Sequence, residues 1–155
     1  MAAPIGPYTP VVRAGDWIIV SGQLGLRDGS LVEGGVKAQT TQAIVNLRAH
    51  LESVGAKLSD VAKTLCFLTD MDTFPTFNES YVAGFGSHRP ARSTIGVASL
   101  PAGGAVEIEA WAYVPVAKLA TKSVATKSTA GKSGAAKPAV AKSAATKPVA
   151  KRKKK

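Results

Sequence analysis

Arg89-Pro90-Ala91-Arg92-Ser93-Thr94-Ile95-Gly96-Val97, and after a short connection Val106-Glu107-Ile108-Glu109-Ala110-Trp111-Ala112-Tyr113-Val114, is the stretch whose reading decides the fold. Its second half alternates cleanly. Val106, Ile108, Ala110, Ala112 and Val114 fall on one face of a strand, and Glu107, Glu109, Trp111 and Tyr113 on the other. Residues 92–98 and 105–114 therefore read as two strands, joined through Leu100-Pro101-Ala102-Gly103-Gly104. The chemistry is as distinctive as the pattern. A guanidinium is a rigid fork of donors that fits a carboxylate with two parallel hydrogen bonds. A carboxylate nearby can hold and activate a water. Arg92 at the head of one strand and Glu107 on the next thus point to a pocket for a small acid with a water set to attack it. Glu109, two residues on and roughly 7 Å along the same face, reads as structural support. Arg89 reads as loop charge.

Working back along the chain, the period changes. Val36, Thr40, Ile44, Leu47, Leu51 and Val54 recur at helical spacing, with Gln39, Gln42, Arg48 and Glu52 off the stripe, and Gly55 is a natural stop. Val61 to Thr69 reads as a strand apolar on both faces, so both sides need a cover: a helix on one, a neighbouring subunit on the other. Asp72 or Thr73 caps a second helix with Pro75 in its first turn and Phe74, Phe77 and Tyr81 on one face, Asn78 beside it. Tyr8 to Arg13 and Trp17 to Ser21 read as a strand pair about the turn Ala14-Gly15-Asp16. The four glycines in residues 24–35 read as loop. The architecture expected is α+β, two helices layered on one mixed sheet, taken as six-stranded.

Charge divides the chain. Residues 1–115 hold eight Lys or Arg against ten Asp or Glu, a net −2. Residues 116–155 hold twelve Lys or Arg and no acid. All nine aromatic residues lie before 115. A nearly neutral body (1–115) is followed by a basic tail (116–155) that composition assigns to disorder. In the tail Lys122, Lys127, Lys132, Lys137, Lys142 and Lys147 recur with period five, ending in Lys151-Arg152-Lys153-Lys154-Lys155. These residues resemble linker-histone-like tails and are the candidates for non-specific DNA or RNA binding through phosphate. The final cluster also fits a nuclear import address. Cys66 stands alone in the apolar run Leu65-Cys66-Phe67-Leu68, so it reads as core, with no disulfide. His50 and His88 read as surface residues. Two histidines and one cysteine assemble no zinc set, and no apolar run approaches a membrane span. The expectation is an intracellular, cytoplasmic protein needing no metal or cofactor, with nucleoid or nuclear association through the tail.

Five segments in order carry a family resemblance: Ile5-Gly6-Pro7-Tyr8, Val20-Ser21-Gly22-Gln23, Phe77-Asn78-Glu79-Ser80-Tyr81, Pro90-Ala91-Arg92-Ser93 and Val106-Glu107-Ile108-Glu109. Over about residues 4–114 the chain resembles the RidA (YjgF) family of small trimeric deaminases, which hydrolyse reactive enamines and imines of 2-keto acids. The resemblance implies the chorismate-mutase-like fold as a homotrimer with sheets facing inward and a pocket at each subunit interface. It implies Arg92 as the grip on the substrate carboxylate and Glu107 as the group placing water. Tyr8, Ser21, Gly22, Asn78 and Thr94 then line the pocket. Tyr8 is assigned to orient Arg92 or close over the ligand, Ser21 and the Gly22 backbone to donate to the carboxylate or bind water, and Asn78 to reach across the interface. Relatives often carry cysteine where this chain has Thr94, so thiol chemistry is not implied. The competing reading is a non-catalytic trimeric platform that senses ligands or associates with nucleic acid; nuclease activity is a distant third.

Overall fold

The computed structural model describes residues 5–116. The tail lysines named above and Arg152 lie outside the described residues. Strand β1 (Val11–Ala14) turns into β2 (Trp17–Leu24); a small hairpin follows, β3 (Leu26–Arg27) and β4 (Ser30–Leu31). Helix α1 (Gly35–Ser53) leads to β5 (Val61–Leu68), then α2 (Phe74–Phe85), β6 (Ala91–Gly96) and β7 (Val106–Tyr113). The sheet order is β1-β2-β7-β5-β6, with β5 and β6 parallel and every other pair antiparallel. The mixed sheet under two helices is as expected, but it has five strands, not six. β3 and β4 pair only with each other. Their two-residue turn, Asp28-Gly29, has positive φ at both positions (52° and 83°), the geometry that fits the twist of a tight hairpin. The glycine-rich stretch therefore holds a hairpin where a loop was expected.

The core is sealed by one face of the sheet. Ile18, Val20, Thr64, Cys66, Leu68, Val106, Ile108, Ala110 and Ala112 are buried beneath Ile44, Leu47 and Leu51 of α1 and Phe77, Tyr81 and Phe85 of α2. The α1 stripe lies where its spacing placed it, and Cys66 is fully buried. Burial pushes the thiol up to about 11, which suits a core residue and not a nucleophile. Gln39 and Gln42, expected off the stripe, are also buried, because each has a polar partner inside. Gln39 Oε1 accepts from the Ala105 N–H (2.8 Å), and Gln42 Oε1 accepts from Arg27 Nη2 (2.7 Å). The histidines are half-buried rather than on the surface, and His88 Nε2 lies 2.7 Å from the Val61 carbonyl oxygen.

The opposite face is open. Register puts Val12, Trp17, Ile19, Leu65, Phe67, Ile95, Trp111 and Tyr113 on it, together with Glu107 and Glu109. Six of these apolar side chains are 41–47% exposed. Beyond β7, the β1–β2 turn holds the chain in place. Arg13 Nη1 donates to the Val114 carbonyl (3.1 Å), and Asp16 Oδ1 accepts from the Val116 N–H (3.0 Å). No helix among the described residues is long and apolar enough to cross a membrane.

Candidate active site

The predicted site residues separate into two groups within one chain. The first surrounds Glu107. A cavity of about 380 Å³ is lined by Ile5, Gly6, Tyr8, Ser21, Gly22, Leu24, Pro101 and Glu107. A bulge builds it: Val20 pairs with Ala110 and Gln23 with Ile108, so Ser21 and Gly22 together oppose Glu109. The bulge carries the N-terminal segment over the strand, since Ser21 N donates to the Pro10 carbonyl (2.9 Å) and Ser21 Oγ to the Thr9 carbonyl (2.8 Å). The Ser21 hydroxyl thus donates to Thr9, which leaves its oxygen to accept from a ligand or a water. Tyr8 is 42% exposed at the rim. It lies with Glu107, not with Arg92, so orienting Arg92 within the same chain is not its role.

Glu107 is half-buried and apolar groups dominate its surroundings. Burial raises its carboxyl above the ordinary range, and the Glu109 charge on the same face adds to the rise. The sign of the linkage is definite. A group whose folded pKa is raised stabilises the fold below its unfolded pKa and loses that contribution as pH climbs through the folded value. Glu107→Gln is therefore expected to melt higher than the wild type at neutral pH. The difference should close toward about pH 4, where the unfolded carboxyl is itself half protonated. Melting curves at the two pH values measure this; a gap independent of pH refutes it.

The second group surrounds Arg92, on edge strand β6. Arg92 Nη2 donates to Asn78 Oδ1 of α2 at 2.7 Å. Its guanidinium carbon lies 4.7 Å from the Tyr81 ring centre, 5.2 Å from Phe77 and 5.6 Å from Phe74. The shelf is itself fixed, because the Tyr81 and Thr64 hydroxyls are hydrogen-bonded at 2.7 Å. Arg92 thus rests on an amide oxygen and three aromatic faces. A cation held by rings and one amide oxygen keeps donors free for an anion. Thr94 Oγ1, two residues on, is buried beside the Cys66 thiol, its partner in register. Asn78 belongs to this group through its own chain's Arg92.

Arg92 and Glu107 do not share one small ligand within a chain. Arg92 pairs with Thr64, on the helix-covered face; Glu107 pairs with Phe67, on the open face. Strand β5 lies between them, a gap of roughly 10 Å across the sheet and a further 10 Å along it. Succession in sequence does not show that gap. The residues that sequence reasoning missed are Gln39, which accepts from the Ala105 N–H just before β7, and the aromatic shelf under Arg92.

Residues 1–114 match the family model described as endoribonuclease L-PSP. The chain is 45% identical over 110 residues to the 2-iminobutanoate/2-iminopropanoate deaminase of Mus musculus, covering 70% of this chain and 82% of that protein. It is 41% identical over 112 residues to a RutC family protein of Pyrococcus horikoshii, covering 71% and 89%. The crystal structure of RidA from the Antarctic bacterium Psychrobacter sp. PAMC 21119 superposes with a TM-score of 0.69 at 41% identity, covering 72% of this chain and 92% of that one. With the motifs, the five-stranded sheet and the two helices in agreement, this chain belongs to the endoribonuclease L-PSP family, the family of RidA and YjgF.

Proposed function

We propose that the protein hydrolyses reactive 2-imino acids and their enamine tautomers, such as 2-aminoacrylate and 2-iminopropanoate, to 2-keto acids and ammonia. The observation that carries this reading is the half-buried Glu107 carboxyl, with its raised pKa, in the Tyr8/Ser21 pocket. The deaminases among its relatives support it. The imine carbon is electrophilic beside its own carboxylate, so the reaction asks for grip, orientation and one proton shuttle. The protonated form of Glu107, which its half-buried pocket favours, gives its proton to the imine nitrogen. The resulting carboxylate takes a proton from water as oxygen bonds to carbon. The carboxyl then gives that proton to nitrogen; as the C–N bond breaks and ammonia leaves, the hydroxyl oxygen forms the keto group and its proton passes to the Glu107 carboxylate, which restores the neutral acid. Arg92 supplies the grip, and Asn78 with the aromatic shelf aims it.

Because Arg92 and the Glu107 pocket lie on different faces, the working site is assembled between copies. The edge strand β6 of one copy brings its arginine to the pocket of the next, in a homotrimer whose open sheet faces turn inward. Thr94 and the Gly22 backbone complete the lining. The test is release of keto acid by purified protein supplied with enzymatically generated 2-aminoacrylate. Turnover above the uncatalysed rate is expected, and its absence would favour the non-catalytic, ligand-sensing platform.

The tail adds a second property, a tether to nucleic acid that leaves the pocket alone. Twelve positive charges in residues 116–155 meet no acid. If half of them engage phosphate, the log–log salt slope is roughly −5, and three tails on one trimer add avidity. Deleting residues 116–155 is expected to abolish duplex binding in mobility-shift titrations at two salt concentrations and to leave deamination unchanged. Equal binding by the truncated body, or binding indifferent to salt, would exclude the tether.

A further inference from the structure

We infer that Gly22 is a positioning residue for the deamination: its missing side chain is the recess in which the Glu107 carboxylate lies, and that recess fixes where the carboxylate meets the substrate. The inference rests on the deaminase reading above. A Cβ placed on Gly22 would overlap Glu107 Oε1 and stand 2.6 Å from Cδ and 2.9 Å from Cγ of the same side chain. No other atom lies as near. Gly22 is not among the glycines with positive φ, so its backbone is one that alanine adopts without strain. The space is therefore reserved for one carboxylate and not demanded by the chain's own path.

The surroundings leave that carboxylate few alternatives. Leu24 faces Glu107 directly across the strand pair, and Leu24 is packed in turn against Gly104, where a Cβ would stand 2.7 Å from its Cδ2. Glu109 repels a shift along the strand on the same face. Filling the recess therefore drives the carboxylate outward, toward the rim and water. The atoms that must move are the far end of a flexible side chain, so the fold survives while the catalytic group is displaced.

Gly22→Ala in the full-length protein is expected to lower kcat about ten- to a hundred-fold, the cost of a displacement near 1 Å, and to change KM far less. Outward movement rehydrates the carboxyl, so the loss of activity with rising pH should begin at lower pH than in the wild type. Carbon-13 NMR of the Glu107 carboxyl should show the same downward shift of its titration. Shortening the acid makes room again: Gly22→Ala/Glu107→Asp should exceed Gly22→Ala in activity, and their combined loss should be smaller than the product of the single losses. If Gly22→Ala melts early, the same shortening should restore the melting temperature. Wild-type kcat and pH profile in Gly22→Ala, an unchanged Glu107 titration, or no recovery in the double variant would overturn the inference. A wild type that releases no keto acid would instead overturn the deaminase reading, while the NMR titration still reports on the recess.

Discussion

Arg92→Ala is expected to lose roughly 10²–10⁴-fold in kcat/KM for keto-acid release. Removing one partner of a desolvated charge pair costs about 3–5 kcal/mol, and each 1.36 kcal/mol is tenfold in rate. The fold should persist, because Arg92 is on an edge strand and contributes only a hydrogen bond to Asn78 and its stacking on three rings. Circular dichroism and melting measure that part. Arg92→Lys should rescue poorly. An ammonium keeps the charge but lacks the planar fork, and it stacks less well on the Phe74–Phe77–Tyr81 shelf. Asn78→Ala should cost on the order of tenfold, since a hydrogen bond to a charged group is worth about 1.5 kcal/mol and the arginine remains. Near-normal turnover in Arg92→Ala would remove it from the site.

The second large effect concerns assembly. Residues 1–115 alone are expected to sediment as a homotrimer at micromolar concentration, and Trp111→Glu as a monomer. Trp111 pairs with Ile19 in register and lies among the exposed apolar residues of the open face, 44% exposed itself. Fully burying one such side chain is worth about 1.5–3 kcal/mol, and threefold symmetry would repeat the loss three times. A buried glutamate adds the cost of an unpaired charge. Because the site is proposed to span two copies, the monomer should also lose deamination, although neither Arg92 nor Glu107 has been touched. A monomeric 1–115 body, or a Trp111→Glu variant that stays trimeric and active, would contradict the shared site.

How much of this was legible in the sequence depended on whether the cause was local. The alternation of Val106, Ile108, Ala110 and Ala112 and the helical spacing of Ile44, Leu47 and Leu51 follow from burial of a single face, and both match the structure. Asp28-Gly29 was legible as a turn but was overlooked beneath a glycine-rich composition. Gln39 and Gln42 were not legible, because their burial depends on Ala105 and Arg27 arriving from elsewhere in the chain. The division of the site was hidden for the same reason. Strands β6 and β7 are successive in sequence, yet β5 separates them in space, and no local pattern records a parallel pairing. The motif residues were found, while their distribution over two faces required the sheet order.

That sheet order also matters while the protein is being made. Among the described residues, strand β7 is the third of the five in the sheet and the last of them to be synthesised, and within the sheet it alone hydrogen-bonds both the β1–β2 hairpin and the β5–β6 pair. A ribosome delivering the chain from its N-terminus releases two sheet fragments, each with an unpaired edge that β7 alone can cap. Joining them means closing long loops, which is slow, and leaves strand edges open to wrong pairing in the meantime. Translation that stops between β6 and β7, at residues 97–105, yields two half-sheets with no strand to join them, a product for quality control rather than a shorter enzyme.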